Sequence, residues 1–215
     1  MQLNVLRFPL GQLQANCYFL ISGSQCLIID PADEASFILE EISRRNLTLV
    51  GMIATHGHFD HVMAVGEVQM SYPSSDGSFV PFFLHPEDHF LIKRLGETAT
   101  YFLGYDPQVI PLQKMESLLH SAKSFHQFPF EVIHTPGHTP GSCCLYFKKE
   151  KTIFTGDTLF KGSIGRYDFS YSNKTDLKKS LQLLMKLPSD TIVYSGHGER
   201  TTLGEELSLL CHILT

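Results

Sequence analysis

The segment Thr55-His56-Gly57-His58-Phe59-Asp60-His61 packs three imidazoles and one carboxylate into six positions. These are the nitrogen and oxygen donors that borderline divalent metals prefer. In an extended stretch His56 and His58 fall on the same side and can grip one ion, while Asp60 and His61, at the expected start of a helix, turn toward a neighbouring position. The spacing therefore predicts two ions. Three later residues are candidates because each ends a strand or opens a loop: His138 in Thr135-Pro136-Gly137-His138-Thr139-Pro140-Gly141, Asp157 in Gly156-Asp157-Thr158, and His197 in Gly196-His197-Gly198. Alone, each would read as an ordinary surface group or cap. Their glycine neighbours, Gly137, Gly156, Gly196 and Gly198, change that reading, because glycine lets the backbone approach closely where ligands must converge.

Other polar residues carry weaker signals. His134 lies four residues before His138 and reads as a neighbour of the site. His85 and His89 share helical spacing without a third convergent group and read as surface histidines. Asp30, before Pro31, is either a carboxylate that orients a ligating imidazole or a plain turn cap. The five cysteines lack the spacing of a disulfide framework or metal knuckle. Cys143 and Cys144 are adjacent in an expected strand, so their side chains should point to opposite faces and pack.

Positioning these residues requires strands with ligand-bearing carboxyl ends. Short apolar runs at Leu3–Phe8, Cys17–Ile21 and Gln25–Ile29, with Ser22-Gly23-Ser24 as a tight turn, predict an opening β-meander. Glu34–Arg45 reads as a helix whose apolar face only Glu41 breaks. Leu49–Ala54 reads as a buried strand delivering Thr55 and His56, with Asp60 as N-cap of a helix over His61–Met70. The stretch Ser71–Ser124 is less legible, with a strand at Phe79–His85, a helix at Pro86–Leu95 and no chemistry read from it. Strands return at Phe130–His134, Ser142–Phe147 and Thr152–Phe154, followed by a helix at Thr175–Leu187, a strand at Thr191–Tyr194 and a helix at Leu203–Ile213. This order, without internal repeat, predicts an α/β chain of two face-to-face sheets with helices outside, as one domain over residues 1–215.

The four motifs, in this order from about Asn16 to Leu203, resemble those of the metallo-β-lactamase superfamily and, more narrowly, of short glyoxalase II-like hydrolases. Asp157-Thr158-Leu159-Phe160 is particularly similar to glyoxalase II. The resemblance implies an αββα sandwich of two mixed sheets, one metal held by His56, His58 and His138, a second by Asp60, His61 and His197, and Asp157 bridging both. It also places Arg166 at a basic position that contacts glutathione in the family, with Asp168 and Glu199 where longer enzymes carry tyrosines. True β-lactamases generally lack the bridging aspartate, which sets this chain apart from them.

A metal pair lowers the pKa of a shared water toward neutrality, so the chemistry implied is attack of hydroxide on a carbonyl carbon, with Asp60 and Asp157 the catalytic carboxylates. A thiolate leaving group, of pKa about 8.5, needs no general acid. A small-molecule thioester, S-lactoylglutathione or a similar hydroxyacyl-thioester, is the expected substrate. The alternatives on the same fold are a mononuclear iron persulfide dioxygenase and a phosphodiesterase or nuclease. Zinc is the expected metal, and the ligand set also suits iron and manganese. The net charge of −5 argues against nucleic acid and anionic lipid as partners. No apolar stretch near the start reads as a signal peptide or membrane span, so the expected location is the cytoplasm. The sequence ends at Thr215, without the helical domain that supplies basic residues to glutathione in full-length relatives. S-lactoylglutathione is therefore expected to bind less tightly than in those enzymes, the more so if Asp168 and Glu199 repel it.

Overall fold

A computed structural model describes residues 3–72, 77–119, 125 and 127–214. The opening meander is β1 (Asn4–Leu10), β2 (Ala15–Ser22) and β3 (Gln25–Ile29), all antiparallel, turning at Gly23 with a positive φ of 63°. Helix α1 (Ala35–Arg44) crosses to β4 (Thr48–Ile53), which lies parallel to β3. Two more parallel strands, β5 (Phe82–Leu84) and β6 (Met115–Ser117), complete a six-stranded sheet in the order β1-β2-β3-β4-β5-β6. The second sheet is built from β7 (Glu131–His134), β8 (Cys143–Phe147) and β9 (Thr152–Gly156), then β12 (Ile192–Ser195) parallel to β9 and a short β13 (Thr201–Thr202). Its order is β13-β12-β9-β8-β7, and a separate hairpin, β10 (Leu159–Phe160) and β11 (Ser163–Ile164), follows β9.

Strand periodicity explains the layers, because alternate side chains leave a sheet on opposite faces. On β2 and β3, Tyr18, Leu20, Leu27 and Ile29 face the second sheet and meet Leu145, Phe147 and Phe154. Their alternates Cys17, Phe19, Cys26 and Ile28 face outward onto α1 and the helices that follow β4. On the second sheet, Cys144, Tyr146 and Ile153 pack outward against α6 (Lys174–Leu184) and α7 (Leu203–Leu214). Cys143 and Cys144 thus join different cores, as their adjacency predicted. The result is an αββα sandwich of two mixed sheets. Glu41 keeps its buried place on α1 because Arg44 and Arg45 both bond its carboxylate.

The structure corrects two predicted helices. The helix expected over His61–Met70 is split into α2 (Phe59–Val62) and α3 (Val65–Ser71), and Asp60 is not its N-cap: it lies in the first turn of α2, behind His58 at the cap. There its negative charge still faces the positive end of the backbone dipoles. The helix expected over Pro86–Leu95 is instead a 3₁₀ turn (Pro86–Asp88), α4 (His89–Lys93) and a separate α5 (Leu95–Leu103) that ends at left-handed Gly104. Residues 73–76 and 120–124 of the less legible stretch lie outside the described residues. Among the described residues, no helix is long and apolar enough to cross a membrane.

Candidate metal centre

All seven predicted residues converge at the carboxyl ends of β4, β7, β9 and β12. Two groups form, His56 with His58 and His138, and Asp60 with His61 and His197; within each, one donor atom per residue lies within 4.8 Å of the others. In the first group His58 Nδ1 sits 3.1 Å from His56 Nε2 and 3.0 Å from His138 Nε2. In the second, His197 Nε2 is 3.3 Å and His61 Nε2 3.6 Å from Asp60 Oδ2. Asp157 stands between them. Its Oδ1 is 3.5 Å from His61 Nε2, while Oδ2 is 3.5 Å from His138 Nε2 and 3.8 Å from His197 Nε2.

Each ring uses its other nitrogen outward. His138 Nδ1 donates to the Arg166 carbonyl at 2.9 Å and His197 Nδ1 to the Leu13 carbonyl at 3.1 Å, while His58 Nε2 and the Tyr171 hydroxyl share a hydrogen bond of 2.8 Å. His56 Nδ1 reaches Thr55 Oγ1 at 3.2 Å, and that hydroxyl donates to Asp30 Oδ2 at 2.8 Å. The same Asp30 oxygen lies 3.2 Å from His61 Nδ1. Asp30 is therefore the orienting carboxylate rather than a plain turn cap. Such outward bonds fix ring orientation and tautomer at metal sites. When the outward nitrogens carry the protons, the three inward nitrogens of the first group turn lone pairs on one another at 3.0 and 3.1 Å. That arrangement is repulsive unless a cation lies among them, and a tetrahedral ion with bonds of roughly 2.0–2.1 Å suits such spacing. His61 Nε2 and Asp157 Oδ1 are buried without a hydrogen-bond partner, which is also what a bound cation would satisfy. Both groups fit divalent metal by donor type and by geometry.

Electrostatics separates the two groups. Burial, joined by neighbouring imidazoles, holds His56 well below its ordinary range and His58 down to about 3, so both are neutral and ready to ligate. Burial acts in the same direction on His61, but Asp60, Asp157 and Asp30 outweigh it and raise His61 to about 10. His197 is raised too, against its burial, chiefly by its bond to Asp60. Burial pushes Asp60 upward, yet His61 and His197 pull it below the usual carboxylate range.

The loops owe their shape to close approaches. A Cβ on Gly196 would stand 2.2 Å from Asp157 Oδ1 and 2.8 Å from His61 Cε1, so only glycine lets the β12 loop reach the centre. The first sheet holds that loop from the other side: Asn16 N donates to the Gly196 carbonyl at 2.7 Å, Asn16 Nδ2 to the Ser195 and Gly198 carbonyls at 2.9 Å each, and the Tyr18 hydroxyl to Ser195 at 2.6 Å. Arg7 also donates to the Gly198 carbonyl.

Arg166 is exposed at the mouth, its guanidinium 4.6 Å from the Phe169 ring centroid and its Nε and Nη2 each 2.9 Å from an Asp168 carboxylate oxygen. Phe169 stacks on Tyr171, and Phe90 meets Tyr171 edge-on. Glu199 pairs with Lys161 at 3.0 Å beside a cleft of about 340 Å³ that His197 also lines. Neither Asp168 nor Glu199 is thus an unpaired carboxylate.

The surface reading of His85 is wrong. Its side chain is buried, stacked on His134 at 4.3 Å with the planes 16° apart. Glu87 joins this pair as a third possible donor, but nearly parallel rings do not aim their lone pairs at one point, and His134 Nε2 already donates to the Pro140 carbonyl at 2.8 Å. Sequence reasoning missed Thr55, Tyr171 and Asp88. Thr55 carried the signal of lying beside a ligand motif; Tyr171 and Asp88 carried none.

The chain matches the profile of the metallo-β-lactamase superfamily over residues 10–197, and it belongs to that superfamily of metallo-hydrolases. It is 37% identical to a probable metallo-hydrolase, YqgX, of Bacillus subtilis, over 91% of this chain and 90% of the relative. It is 33% identical to the hydroxyacylglutathione hydrolase GloC of Haemophilus influenzae, over 95% of each. Among solved structures, the B3 metallo-β-lactamase BLEG-1 superposes with a TM-score of 0.83 at 34% identity, covering 96% of this chain and 99% of that one. TTHA1623, solved in a di-iron-bound form, superposes with a TM-score of 0.79 at 35% identity, covering 94% and 96%.

Two outcomes are expected. Gly196→Ala forces Asp157 or the β12 loop to move, so the variant should lose metal uptake measured by elemental analysis; wild-type stoichiometry would contradict the close approach. Metal titrated into metal-free protein at pH 7 should release about one proton or more at the Asp60-His61-His197 group, where His61 is protonated, and none from His56 or His58. Calorimetry in two buffers of different protonation enthalpy reads this, and equal release at both groups would contradict it. The sign for the metal-free fold follows from the same raised value: His61 contributes stability fully below pH about 6.5, and loses it as pH rises through about 10.

Proposed function

We propose that this chain is a dinuclear thioester hydrolase acting on S-lactoylglutathione or a similar hydroxyacyl-thioester. The observation that carries the reading is the pair of converging donor groups with Asp157 between them. His56, His58 and His138 would hold one ion, Asp60, His61 and His197 the other, and Asp157 both. The likeness to GloC of Haemophilus influenzae supports the substrate class. Zinc suits the donors, and so does iron, the metal bound in TTHA1623.

When bound, the metal pair supplies an acidified water and a Lewis acid for the carbonyl oxygen. The protein's part is placement and charge. Asp60, held ionised by His61 and His197, keeps an acceptor oxygen facing the centre for the proton of the attacking water. Phe90, Phe169 and Tyr171 form an aromatic wall at the mouth, which shields the acyl group from bulk water. Arg166 offers the only cation placed over that wall among the described residues, and it takes the anionic end of the thiol moiety by exchanging its bond to Asp168. A thiolate leaves without a proton donor.

The likeness to BLEG-1 favours β-lactam hydrolysis as a second reading. That reaction shares the attack on an acyl carbon but expels an amide nitrogen, which must be protonated. Tyr171, raised to about 12 by burial, is a poor acid for that task.

Turnover of S-lactoylglutathione, of glutathione persulfide and of a chromogenic cephalosporin by zinc- and iron-loaded protein separates the readings. Thioester turnover should dominate. Asp157→Ala should remove far more activity than His134→Ala, whose ring is spent on Pro140 and His85. Arg166→Ala should raise KM with a smaller change in kcat, since a remote binding group acts largely on uniform binding. Oxygen uptake with persulfide and no thioester turnover would hand the case to a dioxygenase.

A further inference from the structure

Asp88 ends the 3₁₀ turn after β5, in a stretch whose sequence carries no metal motif, yet its side chain is completely buried. Its Oδ2 accepts from Gly57 N at 2.8 Å and from the Thr139 hydroxyl at 2.7 Å, and its Oδ1 accepts from Gly141 N at 2.7 Å. Gly57 lies between His56 and His58, while Thr139 follows His138 directly. One carboxylate therefore grips both loops that carry the first donor group. No hydrogen bond of Asp88 among the described residues reaches a neighbour of Asp60, His61 or His197.

Space reinforces the grip. A Cβ on Gly57 would come within 3.1 Å of Asp88 Cβ, and one on Gly141 within 2.7 Å of Asp88 Cγ and Oδ1, so both loops lie against the carboxylate. Two of the three donors are backbone N–H groups, which cannot reorient without moving the loop itself. Keeping a carboxylate out of water is costly, and burial does raise the Asp88 pKa despite its three bonds. Structural support alone could be met by a neutral side chain at lower cost. What an acceptor-only group with two oxygens adds is a fixed separation between two loops that each present donors on the same side.

We propose that Asp88 is a positioning residue for the first metal ion: it sets the separation between the His56–His58 loop and His138, and so governs the affinity of that site and not of its neighbour. The proposal rests on the ligand assignment made under the proposed function.

The test measures metal affinity, without reference to turnover. Zinc and cobalt(II) are titrated against a chromogenic chelator into metal-free protein, in a His197→Ala background that leaves the first site and a His58→Ala background that leaves the second. Asp88→Asn places an amide NH₂ against an N–H or hydroxyl donor, and should weaken the first site by about 10–100-fold, the range for lost orienting groups. The second site should keep its affinity. Thr139→Ala removes one of the three bonds while retaining Asp88, and should weaken the first site by a smaller factor; it decides the matter if Asp88→Asn does not fold. Leu181→Ala, a core truncation on α6, serves as a destabilised control. Equal weakening of both sites, a Leu181→Ala variant with the same pattern, or wild-type affinity in both Asp88→Asn and Thr139→Ala would overturn the proposal. Failure of the parent chain to bind two ions would overturn the ligand assignment, and the proposal with it, before any Asp88 variant is made.

Discussion

Donor atoms that repel one another are held within 3.1 Å by bonds made on the far side of each ring. The first group has little internal remedy: the imidazoles of His56 and His58, both held neutral by burial, face His138, and the nearest carboxylate oxygen, from Asp157, stands 3.5 Å from His138 Nε2. The second has one, because Asp60 and Asp157 flank His61 and keep a proton on it. A single fold thus holds two electrostatically different neighbouring groups, one in which His56 and His58 are kept neutral and one in which His61 is kept protonated. Their donor types differ accordingly, three nitrogens against two nitrogens and a carboxylate.

The sandwich architecture follows from having to hold those donors still. Four loops approach from two sheets, and three of them are fixed by groups outside the centre: Asp30 through Thr55, Asp88 through Gly57 and Gly141, Asn16 and Tyr18 through the β12 loop. The rigid core between the sheets supplies the reference frame. Tyr18 belongs to both, since its ring packs against Phe154 and Tyr194 in that core while its hydroxyl ends on a ligand loop. Positions on strands are set more tightly than positions on free loops, which is why the ligands stand at strand ends.

Most of this arrangement was legible in the sequence wherever the information was local. The short apolar runs Cys17–Ile21 and Gln25–Ile29, the helix Thr175–Leu187 and the histidine motifs all depend on spacing within a few residues. The resemblance to a known family added the pairing of distant motifs, which spacing cannot supply. Two kinds of information were out of reach. A short element such as β6, three residues long, takes its conformation from its parallel neighbour rather than from its own pattern. Asp88 and the buried His85 are defined by what folds over them, so a reading along the chain sees only a proline-led turn. The split between α2 and α3 is of the same sort: Ala64 N donates to the Ala32 carbonyl, a contact from the far side of β3 that no helical periodicity encodes.

The bonds from Asn16 and Tyr18 to the β12 loop have a kinetic side. Asn16 and Ser195 lie 179 positions apart in the chain, so this seam closes one of the longest loops the molecule contains. Contacts of such separation are entropically expensive to form early and contribute little until most of the intervening chain is in place. His197 is carried on that seam, whereas His56, His58 and His61 sit on a short local turn. Bringing His197 to the centre therefore carries a loop-closure cost that the local histidine turn does not.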